Sequence, residues 1–192
     1  RYPRVVGVAS PPKRQRSEAV EITYLKGDAT QPRGTGQSII AHVVNDKAAT
    51  WGGGFALFVR KKWPHVQEDF KRWAAENKSQ FRLGNMHISP VATSLRICHM
   101  IAQHGYGPSP KPRIRYEALR LCLIQLATEA MRSRATVHMP RIGSGQAGGS
   151  WGIVSELIQE ALCKGGVSVT VYDLPTTAAV TLPPQMLTQA TG

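Results

Sequence analysis

Side chains able to move protons gather at two points of the chain. His42 stands inside the apolar run Ile39–Val44, and Asn45 and Asp46 follow that run directly. His104 follows Gln103 at the end of a second apolar run, Met100–Ala102. Histidine changes charge near neutrality and can serve as acid or base. His42 also has a plainer reading: between Ala41 and Val43 it fits a satisfied core histidine. The remaining histidines, His65, His87, His99 and His138, have no mutual spacing that suggests a metal site, and none is expected.

A different chemistry is written in glycine. Thr50-Trp51-Gly52-Gly53-Gly54-Phe55-Ala56 follows the first apolar run, and Ile142-Gly143-Ser144-Gly145-Gln146-Ala147-Gly148-Gly149 lies far along the chain. Glycine costs conformational entropy on folding, so such clusters need a reason. A glycine turn that leads from a strand into a helix presents bare N–H groups at the helix N-terminus, where anions bind. Neither stretch matches a phosphate-loop fingerprint, and for either alone a tight turn is an equal reading. Two such loops at equivalent ends of one sheet suit a diphosphate, which needs donors from more than one side. Trp51 beside the glycines suits a ligand wall or plain packing equally.

These residues must be held by strands and helices. Val20–Leu25 alternates and reads as a strand ended by Gly27-Asp28. Ser38–Val44 is apolar on both faces. Helices are expected over 54–62 and from Pro64 onward, where Val66, Phe70, Trp73 and Ala74 share one side. Strands are expected near 85–92 and 95–103. A long helix over 115–133 carries a stripe of Leu119, Cys122, Leu123, Leu126, Ala127 and Ala130. A strand over 136–140, a helix capped by Ser150 and stopped at Gly165, and a strand over 167–174 complete the order β-β-α-α-β-β-α-β-α-β. That order predicts an α/β fold of three layers, α-β-α, around a mixed, largely parallel sheet. In such sheets the ligand crevice lies beyond the carboxyl ends of the strands, where both glycine loops fall.

The chain has 192 residues, enough for one sizeable core. Residues 1–19 read as a basic linker or tail, 20–174 as the folded unit and 175–192 as a flexible tail. No apolar run is long enough to span a membrane, and no export signal is visible. Three widely spaced cysteines, Cys98, Cys122 and Cys163, predict buried thiols in a reducing compartment rather than a disulfide framework. Net charge is +12, which favours phosphate-bearing partners. The run Pro12–Arg16 suits a solvated linker or a nuclear import signal, so the expected location is intracellular, cytoplasmic or nuclear.

Taken together, Lys26-Gly27-Asp28, the stretch from Asn45 to Ala56, Met139–Gly145 and Val171-Tyr172-Asp173-Leu174 resemble a macrodomain, the ADP-ribose-binding module. The resemblance covers about residues 21–174. "YLKGDAT", "HVVND…WGGGFALFVRKKWP" and "HMPRIGSG" are most similar to a branch that holds a terminal ADP-ribose protein glycohydrolase, the macrodomain of a chromatin remodeller, the antitoxin DarG and a yeast-type ADP-ribose-1″-phosphate phosphatase. The resemblance implies ADP-ribose as ligand and no cofactor. It implies that Asp28, with Ala29, reads the adenine amino group. It places Gly52, Gly53, Gly54 and Phe55 at the diphosphate and distal ribose, with Trp51 and Asn45 beside them. It has Ile142, Gly143, Ser144, Gly145, Gln146 and Ala147 close over the same phosphates, and Tyr172 and Leu174 near the base. Core filling is an equal reading for Tyr172.

Two departures bear on activity. The catalytic lysine of the glycohydrolase relatives falls on Gln103, and their loop aspartate on Ala147. Neither replacement supports attack through a lysine adduct. The resemblance thus implies a reader of ADP-ribose, ADP-ribosylated protein or nucleic acid, or poly(ADP-ribose). A monomeric domain is expected, either alone or as part of a larger protein. The alternatives are a hydrolase or phosphatase using His42, Asn45, Asp46 or His104, a basic nucleic-acid-binding module, and a scaffold that has lost its ligand.

Overall fold

The computed structural model describes residues 20–175. The tails expected at either end fall outside them, apart from Pro175. Six strands and four helices alternate as β1 (Thr23–Lys26), β2 (Ser38–Asn45), α1 (Gly54–Lys62), α2 (Pro64–Glu76), β3 (Met86–Ala92), β4 (Leu95–Gln103), α3 (Tyr116–Ser133), β5 (Thr136–Pro140), α4 (Trp151–Ala161) and β6 (Val169–Asp173). The expected order holds throughout, with β1 and β6 shorter than their sequence patterns.

The strands form one sheet in the order β1-β6-β5-β2-β4-β3. All neighbours run parallel except β3, which turns back antiparallel on β4. β2 therefore lies inside the sheet and is buried on both faces, as its unbroken apolar run requires. Its side chains alternate between two cores. Ile39 and Ala41 join α3, α4, β5 and β6 on one side. Ile40 and Val44 join Val59 of α1 and Val66 and Phe70 of α2 on the other. The three-layer arrangement follows directly.

The α3 stripe is buried at every predicted position. The helix ends at Arg134, whose φ of 51° is left-handed. Pro64 starts α2, where its missing N–H costs nothing. Ser150 does precede α4, but its hydroxyl makes no capping bond. Its N–H donates to the Tyr116 hydroxyl at 2.8 Å instead. α4 stops before the predicted Gly165, and a 3-10 turn over Cys163–Gly165 takes up the remaining residues. The three cysteines are free thiols, buried in the core. Among the described residues no helix is long and apolar enough to cross a membrane.

Candidate ligand-binding site

Because β1, β2, β5 and β6 are parallel, their carboxyl ends share one edge of the sheet. Two loops leave that edge and meet. The first starts at Asn45, whose side-chain carbonyl accepts the N–H groups of Lys47 and Ala48 at 2.9 and 2.8 Å. This turn reverses the chain out of β2. Trp51 is then pinned, its N–H donating to the Gln67 amide oxygen at 3.1 Å. The three glycines that follow meet different demands. Gly54 has φ +57°, strained for any side chain. At Gly53 a Cβ would come within 2.9 Å of both terminal atoms of Gln146. Gly52 faces open space. The run ends as the N-terminus of α1, which has no acidic residue in its first turn, a setting that favours an anion.

The second loop follows β5. Gly143 accepts the Gly149 N–H at 2.8 Å, and Gly145 accepts the Gly148 N–H at 2.9 Å. A Cβ on Gly149 would sit 2.6 Å from the Gly143 carbonyl oxygen, so the loop closes too tightly for any side chain there. Gln146 extends from this loop to the Gly53 backbone and joins the two loops across the cleft.

A third wall lay outside the sequence reading. Residues 104–112 form a loop clasped by Arg113, whose guanidinium donates to the carbonyls of His104, Gly107 and Pro108 at 2.9 to 3.1 Å. The Arg113 and Ile114 N–H groups both bind the Ala147 carbonyl, tying this wall to the second glycine loop. Glycine, proline and lysine in this stretch signalled a loop. What Arg113 holds together could be read only in three dimensions.

The three walls enclose a cleft of about 1190 Å³. It is lined by Asn45, Trp51, Gly52, Gly53, Gly54, Phe55, Ile142, Gly143, Gly145, Gln146 and Ala147, together with His42 and Gln103. Of the other sequence candidates, Asp28, Ala29, Ser144, Tyr172 and Leu174 are not among the lining residues. Asp28 closes a tight turn after β1. Its carboxylate accepts the Thr30 N–H at 2.8 Å, the Thr30 hydroxyl at 2.7 Å and the Gln31 amide at 3.3 Å. Burial alone would raise this carboxyl, but those bonds outweigh it and hold it below its ordinary range. A carboxylate has about four acceptor positions, so capacity for one further donor is left. Lys62, at the end of α1, donates to the Thr30 carbonyl and hydroxyl at 2.8 and 3.0 Å. α1 thus holds the first glycine loop at one end and the Asp28 turn at the other.

Tyr172 is buried, and its hydroxyl takes the Arg33 N–H at 2.9 Å and pairs with His138 at 3.0 Å. It braces the loop after Asp28 from within the core. Leu174 is exposed. Ser144 turns its hydroxyl onto the Arg141 carbonyl.

The candidate proton carriers separate. His42 is fully buried, and burial pushes its imidazole down to about 3, so the ring is neutral at physiological pH. Its Nε2 pairs with His99 Nδ1 at 2.7 Å. Among the described residues its Nδ1 and the Trp51 indole nitrogen are buried without partners. Such an atom usually costs about 1–3 kcal/mol. His99 lies opposite His42 on β4, and His87 lies opposite His99 on β3. The sequence spacing hid this ladder of three histidines, which only strand register creates. Trp51 is 2% exposed and packs on Phe70, His42 and His99, so it is mostly core.

Asp46 and His104 do meet. His104 Nδ1 lies 2.8 Å from one Asp46 oxygen, and the Gly105 N–H lies 2.9 Å from the other. Burial raises the Asp46 carboxyl, but the Gly105 and His104 bonds outweigh it and keep it ionised. The pair stands at the rim beside Asn45 and Gln103, not among the lining residues.

A mixed six-stranded sheet with two glycine loops at one edge defines the class, and comparison with known proteins agrees. No family model matches the chain. A macrodomain protein from Streptomyces coelicolor shares 40% identity and a TM-score of 0.70, over 80% of this chain and 99% of that one. The chain belongs to the macrodomain family. The chromodomain-helicase-DNA-binding protein 1-like of Danio rerio is 30% identical over 167 residues, 81% of this chain. The chain spans only 16% of that relative's length. An ADP-ribose 1″-phosphate phosphatase from Lodderomyces elongisporus is 26% identical over 140 residues, 68% of this chain and 86% of that one.

Proposed function

We propose that the protein binds ADP-ribose, either free or as the terminal unit of a modified protein, nucleic acid or poly(ADP-ribose) chain. One observation carries this reading: Gln146 packs on Gly53, so two glycine loops distant in sequence line a single cleft. Main-chain N–H groups from both sides suit a diphosphate. Asp28, at the far end of α1, uses its remaining acceptor capacity for the purine amine. The net charge of +12 favours polyanionic carriers of the modification. Membership of the family and the phosphatase relative's named substrate support the choice of ligand. Calorimetric titration with ADP-ribose tests it. Wild-type protein is expected to bind, with Asp28→Ala weaker by about tenfold, the equivalent of about 1.4 kcal/mol. Absence of heat and of thermal stabilisation at saturating ADP-ribose would reject the proposal in favour of a scaffold. Binding of nucleic acid that collapses with salt and does not compete with ADP-ribose would instead support the basic module.

A second reading has its own observation. The Asp46–His104 pair leaves His104 Nε2 directed away from its carboxylate partner, as in a general acid–base dyad. In this reading the protein hydrolyses ADP-ribose-1″-phosphate or an ADP-ribosyl bond. Turnover lost in both Asp46→Asn and His104→Ala would support it, and lack of turnover on any of these substrates would end it.

A further inference from the structure

Behind the cleft wall, a file of hydrogen bonds begins at a carboxylate and ends at an atom with no partner. Asp69 of α2 accepts the Ser89 hydroxyl at 2.7 Å and pairs with His87 Nε2 at 2.8 Å. Arg72 holds its other oxygen at 2.7 Å. Ser89 Oγ lies 2.9 Å from His99 Nε2, and His99 Nδ1 lies 2.7 Å from His42 Nε2. Ser89, His99 and His42 are all buried.

Counting hydrogens sets the direction of every bond. Burial raises the Asp69 carboxyl, but its bonds from Ser89, His87 and Arg72 outweigh this and keep it ionised. It can only accept. Ser89 has one hydroxyl hydrogen and gives it to Asp69, so towards His99 it is an acceptor. His99 must therefore carry its proton on Nε2. Burial keeps this ring neutral, so its Nδ1 is a lone pair. His42 then donates from Nε2, and its own Nδ1 is a lone pair too. Among the described residues that atom is buried without a partner, in a residue that lines the cleft. Of the rings around His42, Trp51 and His99 are fully packed, whereas Phe55 is half-buried and 5.9 Å away.

We infer that Asp69, Ser89 and His99 are positioning residues that fix His42 as its Nε2–H tautomer, so that Nδ1 accepts a hydrogen bond from a sugar hydroxyl of the molecule bound in the cleft. Contact with Nδ1 requires a shift of Phe55, the half-buried ring beside His42. A histidine free to change tautomer would accept or donate as required. One locked by this file selects an oxygen that carries a hydrogen over a carbonyl or phosphate oxygen that carries none. The inference rests on the ADP-ribose reading for the identity of the hydroxyl, and on the ligand-free geometry for the tautomer.

Nitrogen-15 NMR of the imidazoles in the full chain at neutral pH tests the two parts separately. In ligand-free protein, His42 and His99 are both expected protonated on Nε2 with Nδ1 bare. Ser89→Ala removes the acceptor for His99 and is expected to give mixed tautomers at both rings, with Ser89→Thr restoring one. Adding ADP-ribose should move the His42 Nδ1 resonance, and Ser89→Ala should weaken binding by about tenfold. A wild-type His42 protonated on Nδ1, or tautomers unchanged in Ser89→Ala, overturns the positioning role. ADP-ribose that binds without moving Nδ1 overturns the hydroxyl contact. If ADP-ribose fails to bind at all, the ligand assignment falls with it, while the ligand-free spectrum still decides the tautomer.

Discussion

The Gln146 side chain lies against the Gly53 main chain, so close that a single added carbon on Gly53 would come within 2.9 Å of both its amide atoms. This contact joins the two glycine loops. Gln146 is flexible at its far end and can swing away from Gly53→Ala at small cost to folding. The cleft, however, loses the crossing that Gln146 makes. A double-mutant cycle of Gly53→Ala with Gln146→Ala is expected to show a coupling of about 0.5–3 kcal/mol in ADP-ribose affinity. Strict additivity in calorimetry would show that the two loops act independently.

Glycines of the two loops should separate into structural and ligand-facing classes. Gly52 and Gly145 face open space, and both line the cleft. Alanine at either is expected to change stability by under about 1 kcal/mol while weakening ADP-ribose binding. Gly149→Ala places its Cβ 2.6 Å from the Gly143 carbonyl oxygen and 2.9 Å from Ile114. It is expected to destabilise by about 1–3 kcal/mol. Urea melts alongside titrations distinguish the classes, and equal destabilisation at all three positions would refute the division.

The third wall should depend on a single guanidinium. Arg113→Lys keeps the charge but cannot span the carbonyls of His104, Gly107 and Pro108 as a fork. Amide exchange is expected to accelerate across residues 104–112 with little change in the sheet. Unchanged protection there would mean that the proline-rich sequence, not Arg113, holds the wall.

Stability should fall with acid well before the carboxylates titrate. An unfolded histidine protonates near pH 6.5, whereas burial keeps folded His42 neutral down to about 3. His99 and His138 are likewise lowered by burial. Below pH 6.5 the unfolded chain thus binds protons that the native state refuses, at a cost of about 1.4 kcal/mol per pH unit for each such ring until the pH reaches that ring's own lowered folded value. Asp46 and Asp69, whose carboxyls are lowered, add a further loss only below about pH 4. Urea midpoints are expected to stay nearly level from pH 7.5 to about 6.5 and to decline from there to pH 5, more shallowly in His42→Asn. A flat wild-type profile would show that the native state admits the proton.

Much of this site was legible before any coordinates. The apolar run of β2, the α3 stripe and both glycine clusters are local patterns, and local patterns survive folding because each answers to its own backbone geometry. Their placement at one edge followed from strand–helix alternation. What stayed hidden depends on register. His42, His99 and His87 become neighbours only because β2, β4 and β3 pair where they do, and no sequence interval encodes that. Tyr172 and Trp51 illustrate a second limit: an aromatic at a strand end or beside a glycine loop can stack on a ligand or fill a core, and its type and position do not distinguish the two. Gln103 and Ala147 line the cleft, yet the meeting of Asp46 with His104 needed the turn at Gly105.

Lys62 gives α1 one last property. The helix has a glycine corner at its head and grips the Asp28 turn at its foot, and its nine residues rise roughly 13 Å. It therefore acts as a gauge block between the first glycine loop and the Asp28 turn, the two ends proposed above for diphosphate and purine. One residue inserted in it would rotate the foot by about 100° and lift it about 1.5 Å, leaving both half-sites intact but no longer matched to one molecule.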